Sequence, residues 1–142
     1  LPRRAFELYE SATGIILIEN ASTPAPDLDI LDVGDLVFFD NTWDYNGDGL
    51  VNDPLTHVGI VETVENDGTI VFISRVAGAI ERYRMNVAHP HIHRTAEGRL
   101  LNDYMRRKHW RDGAQTAYLT GELFAAFGTR VVELPSSSAD RR

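Results

Sequence analysis

The chain has 142 residues, 43% hydrophobic and 25% charged, enough for one domain that buries its own core. It contains no cysteine, which excludes disulfides, thiolate metal sites and a cysteine nucleophile within these residues. Net charge is −7, but residues 1–70 hold 14 acids and two bases while residues 71–142 hold seven acids and 12 bases. The acidic half suits a hard cation better than nucleic acid. No apolar run approaches the roughly 20 residues of a membrane span. No signal peptide is read at the start, where Leu1-Pro-Arg-Arg leads straight into a helical pattern.

In chain order, Pro2 to Ala12 predicts a helix, with Pro2 in the first turn and Ala5, Phe6, Leu8 and Tyr9 as its apolar stripe. Ile15 to Ile18 is an apolar run too short to assign by periodicity. Ala21 to Asp29, with Pro24 and Pro26, predicts a loop. A turn over Leu31–Asp35 feeds the strand Asp35–Phe39. Val58–Glu65, Thr69–Val76 and Ala79–Asn86 predict a meander, with Asn66-Asp-Gly68 as the first hairpin turn. His89 to Gly98 is a polar loop. Leu101, Tyr104 and Met105 sit at helical spacing and predict a helix over Leu100–Trp110, which makes Arg106-Arg-Lys108 a solvated helix face. A short helix capped by Thr120 is expected over Thr120–Phe127. Residues 1–134 form the expected domain, and 135–142 a disordered tail. The sum is α+β.

Two patterns carry chemistry. Between Phe39 and His57 lies Asp44-Tyr-Asn-Gly-Asp-Gly-Leu-Val-Asn-Asp53. Its D-x-N-x-D-G spacing places Asp44, Asn46 and Asp48 at positions 1, 3 and 5 of an EF-hand-type loop. Gly49 takes the sharp turn, and the Leu50 carbonyl falls at position 7. Position 12 is Leu55, so Asp53 or Asp40 would close the shell. Calcium is the expected ion, because magnesium normally uses fewer protein oxygens. Trp43 and Tyr45 flank this loop, and packing against it is their expected use. His89, His91 and His93 have H-x-H-x-H spacing but no nearby fourth ligand, and are expected as loop histidines.

The second pattern is His57 at the mouth of a strand. Gly34-Asp-Leu-Val-Phe-Phe39 followed by His57-Val-Gly-Ile-Val61 resembles the NlpC/P60 and CHAP families of papain-like cysteine peptidases and amidases. The resemblance covers about residues 1–86. It implies a papain-like antiparallel sheet or half-barrel with an N-terminal helix and C-terminal helices. It implies His57 as the catalytic base and a polar orienting residue on the next strand, a place held here by Ser74. Arg75 and Asn86 are the alternatives. It also implies a nucleophilic Cys opening the helix before the G-D-L-V strand. Pro2–Ala12 stands where that helix belongs, so the Cys is expected just upstream of Leu1 or not at all. Peptidoglycan is the implied substrate and a periplasmic or extracellular site the implied location. No nucleic-acid partner and no membrane span are expected. The alternative is a non-catalytic, calcium-stabilised binding module that keeps the fold without the chemistry.

Overall fold

The structure, a computed structural model, describes residues 16–19, 31–43, 47, 52–76 and 78–128. The expected Pro2–Ala12 helix, the Ala21–Asp29 loop and the 135–142 tail lie outside the described residues. Six strands form one antiparallel sheet: β1 (Ile16–Glu19), β2 (Leu36–Phe39), β3 (His57–Val64), β4 (Ile70–Val76), β5 (Ala79–Met85) and β6 (Phe124–Gly128). Their order across the sheet is β1-β6-β2-β3-β4-β5. The only helix among the described residues is one turn, α1 (Thr120–Leu123).

The strands form where the sequence alternates or runs apolar between turn residues. Gly34, at φ 95°, makes the turn into β2, a conformation open to glycine at little cost. The buried Asp35 closes that turn by accepting the Asp32 N–H at 2.8 Å. β2 is apolar at every position and buried on both faces, as expected of a strand flanked on both sides. Its Val37 and Phe39 join Val61, Ile70, Phe72, Met85, Phe124 and Phe127 in the main core. Its Leu36 and Phe38 face the other way, with Leu55. Complete burial of one phenylalanine stabilises by roughly 1.5–3 kcal/mol. Phe38, Phe39, Phe72 and Phe127 therefore outweigh the exposed ion pairs along β5, which water screens.

The β3–β4 turn forms as expected. Glu65 N donates to Thr69 O at 2.8 Å, Gly68 takes φ 87°, and the Asp67 carboxylate accepts the Thr69 N–H. Arg99 holds the Asp67 carboxyl well below the usual carboxylate range.

Two expectations fail in the C-terminal half. Leu100–Trp110 is not a helix. Its amides reach distant carbonyls instead of those four residues back: Leu101 N to His93 O, Asp103 N to Arg84 O and Met105 N to Tyr118 O. Leu101 and Met105 are buried but Tyr104 points outward, so the helical spacing was coincidental. Thr120–Phe127 is helical only to Leu123, and Thr120 is not its cap. Its hydroxyl donates to Arg84 O at 2.7 Å, while Glu122 Oε1 accepts the Leu119 N–H. Phe124 and Phe127, three residues apart, would face opposite sides of a regular strand. A register shift opposite Phe38 and Phe39 brings both onto the core face, Phe124 against Phe39 and Phe127 against Val37. A bulged strand thus imitates a helical repeat.

Candidate active site

His57 is placed by the closure of the loop that joins β2 to β3. Asp40 Oδ1 accepts the Leu55 N–H at 2.7 Å. Asn41 and Asp53 exchange two bonds: Asn41 N to Asp53 O, and Asp53 N to Asn41 Oδ1. The Thr42 and Thr56 hydroxyls lie 2.7 Å apart, and Thr42 N donates to Thr56 Oγ1. Asn41 and Leu55 take positive φ, 55° and 51°, a conformation costly without glycine and held here by these bonds. Burial pushes the Asp40 carboxyl up, against the lowering effect of the Leu55 N–H. Arg106 adds a fourth tie, from Nη1 to Asn41 O at 2.6 Å. Thr56 N then pairs with Phe39 O, and β3 begins.

On β3, His57 lies opposite Phe39 on the core face, with ring centroids 6.4 Å apart. Gly59 follows on the same face, opposite Ser74 of β4. A Cβ on Gly59 would stand 2.6 Å from Phe72 Cδ2. The glycine of the H-x-G pattern thus leaves room for a core ring and lets His57 reach diagonally to Ser74. His57 Nε2 and Ser74 Oγ are hydrogen-bonded. Ser74 is buried, and its hydroxyl donates to Val58 O at 2.9 Å. With that proton committed, Ser74 Oγ accepts from Nε2–H, and Nδ1 keeps the lone pair. Burial lowers the His57 pKa below the ordinary 6.5, so the imidazole is neutral at pH 7.

His57 lines an open groove of about 740 Å³, with Trp43, Arg75, Tyr83, Tyr104 and Arg107 among its other walls. Arg75, the first alternative to Ser74, is therefore in the groove but makes no bond to His57. Asn86, the second, is used elsewhere. It is buried beyond Met85, where its Nδ2 donates to Thr69 Oγ1 and its Oδ1 accepts from Ala88 N and His89 N.

Of the expected calcium ligands, Asp44, Asn46, Asp48 and Leu50 lie outside the described residues, as does Tyr45. Asp53 is buried at the loop's neck, where its backbone pairs with Asn41. Asp40, the other carboxylate considered for the shell, holds Leu55 through Oδ1. Among the described residues no group of three His, Asp or Glu side chains is placed to hold a metal. The H-x-H-x-H histidines go separate ways. His91 Nδ1 pairs with Glu122 Oε2 at 2.8 Å, and His93 Nδ1 bonds to Asn102 O at 2.6 Å.

Arg106, Asp112 and Asn102 escaped sequence reasoning. Arg106 is buried and paired with Asp112 at 3.2 Å, where a solvated helix face was expected. Asn102 is fully buried, and its amide bonds Asn86 N, His89 O and Ile92 O. Asparagine and arginine in polar sequence carry no periodic signal that would have marked them. No protein-family model matches the chain, and neither a curated protein nor a solved structure matches it.

Proposed function

We propose that this chain carries the general base and its orienting group for a cysteine-type amide hydrolase of the NlpC/P60 or CHAP kind, acting on peptide amides of peptidoglycan outside the cytoplasm. The observation that carries the reading is the His57–Ser74–Val58 relay at the edge of an open groove. Ser74 fixes the ring and its tautomer. Nδ1 takes a proton from a thiol, the thiolate attacks the amide carbonyl, and the imidazolium returns the proton to the leaving amine. Ser74 brings no negative charge, so it orients the imidazolium without the electrostatic support that a carboxylate gives. The thiol is not among the 142 residues. The test is to express the complete reading frame that encodes them and assay release of peptides from peptidoglycan. Hydrolysis that a thiol-blocking reagent and His57→Ala each abolish supports the reading. A frame without cysteine, or full activity in His57→Ala, overturns it and favours the non-catalytic binding module.

Calcium belongs to the same proposal. Asp44, Asn46, Asp48, the Leu50 carbonyl and Asp53 would hold it, and the loop neck would pass its order to the β3 entrance. An ion that binds only the folded state raises the melting temperature by mass action. Millimolar calcium is expected to do so in the wild type and not in Asp48→Ala. No shift in the wild type removes the site.

A further inference from the structure

A second cavity, of about 450 Å³, adjoins the His57 groove and shares Trp43, Arg106 and Arg107 with it. Its remaining walls include Lys108, Trp110, Arg111 and Asp112. Asp112 is the one carboxylate among the described lining residues, and it is fully engaged. Its Oδ1 accepts from Arg106, and its Oδ2 accepts from His109 N at 2.7 Å and the Tyr118 hydroxyl at 2.8 Å. The His109 N–H, then Tyr118 and Arg106, hold its carboxyl below the usual range.

That leaves Arg107, Lys108 and Arg111 on the cavity wall with no carboxylate partner among the described residues. By comparison, Arg82 and Arg84 on β5 and Arg99 in the segment after it each hold a Glu or Asp, while Arg75 of β4, in the His57 groove, has no such partner among the described residues. Lys108 and Arg111 instead lie over aromatic rings, Lys108 Nζ 5.6 Å from the Tyr118 centroid and the Arg111 guanidinium 4.9 Å from Trp110. Arg111 also donates to Gly47 O at 3.3 Å. Trp110 is 82% exposed and Trp43 45%. Three cations with no carboxylate partner among the described residues thus stand beside two solvent-exposed indoles, in the half of the chain that carries 12 bases against seven acids.

We infer that this cavity binds a carboxylate-bearing peptide segment. Guanidinium forks match a carboxylate in the plane, and the indoles cover the apolar stem that carries it. The volume fits a few side chains, in the range of small-ligand pockets. Because the cavity opens beside the His57 groove, the acidic segment would lie on the same chain as a bond presented to His57. Binding itself needs no nucleophile, so this inference stands or falls apart from the hydrolase reading.

The chain has two tryptophans, and both line this cavity. The test is a titration with N-acetyl-triglutamate at low salt, followed by tryptophan fluorescence and by calorimetry. Saturable binding is expected, weakened about tenfold or more in the Arg107→Gln/Arg111→Gln variant, as loss of charge-assisted bonds requires. Both side chains are exposed, so the variant's melting temperature should match the wild type. Arg94→Gln, which removes an exposed cation outside both cavities, should bind as the wild type does, and N-acetyl-triglutamine should not bind. No saturable binding of triglutamate, equal binding of triglutamine or inorganic phosphate, or undiminished binding by the double variant overturns the proposal.

Discussion

The strands from β2 to β5 and the segment from Asn86 to Leu123 are built on different principles. In the first region, neighbours in sequence become neighbours in space, through short turns from β3 to β5 and through the bonded loop from β2 to β3, and the core face repeats every second residue. Val37 and Phe39, then His57, Gly59 and Val61, then Ile70, Phe72 and Ser74 follow one another across the sheet. In the second region the backbone is mostly irregular and is fixed by buried polar groups: Asn86 with Asn102, Thr120 with Arg84 O, and Arg106 with Asp112 and Asn41 O. The apolar region presents His57. The polar region supplies opposite walls of the groove, through Tyr104, Met105 and Arg106. The difference teaches that one domain can position a histidine by strand register and shape the space in front of it by hydrogen bonds.

Breaking the polar region should have the larger effect. Asn102→Ala leaves Asn86 N, His89 O and Ile92 O without their buried partner, at a cost of about 3 kcal/mol. Urea unfolding measures this, and a loss below about 0.5 kcal/mol would mean that water replaces the amide and the network is not what holds this half. Gly59→Ala probes the apolar region. The added methyl meets the Phe72 ring, and such overpacking costs about 2 kcal/mol. In a Phe72→Leu background the same substitution should cost clearly less, and a double-mutant cycle with no coupling would contradict the assigned clash.

The smallest effect is a change of slope. The folded pKa of His57 lies below its unfolded value of 6.5 because burial disfavours imidazolium. Between those two values the unfolded chain holds more protons, so stability falls as pH drops through that window. Above 6.5 His57 contributes no slope. His57→Gln should flatten this part of the acid limb and leave the curve above pH 7 parallel to the wild type. An unchanged limb would show that His57 is as solvated folded as unfolded.

The same division explains what could be read from the sequence. The antiparallel strands, the Asn66–Gly68 turn and the placement of His57 and Ser74 on adjoining strands follow from alternation and turn chemistry, which are local. Of the two helices expected after β5, one is absent and the other ends after a single turn, because their spacing was local while their hydrogen-bond partners were not. Leu101 and Met105 answer to His93 and Tyr118, and Phe124 and Phe127 share a face only through a bulge set by β2. The cationic cavity was hidden for a related reason. Arg106-Arg-Lys108 reads as one charged run, and only the distant Asn41 and Asp112 separate the buried Arg106 from its exposed neighbours.

The central claim is that Ser74 holds His57 as a neutral base with its lone pair on Nδ1. Long-range proton–nitrogen NMR spectra of the imidazole, recorded through a pH titration of the ¹⁵N-labelled chain, test it directly. The account predicts the Nε2–H tautomer above pH 6.5, a titration midpoint below 6.5, and a mixture of tautomers in Ser74→Ala. A proton on Nδ1 in the wild type, or a midpoint above 6.5, would contradict it.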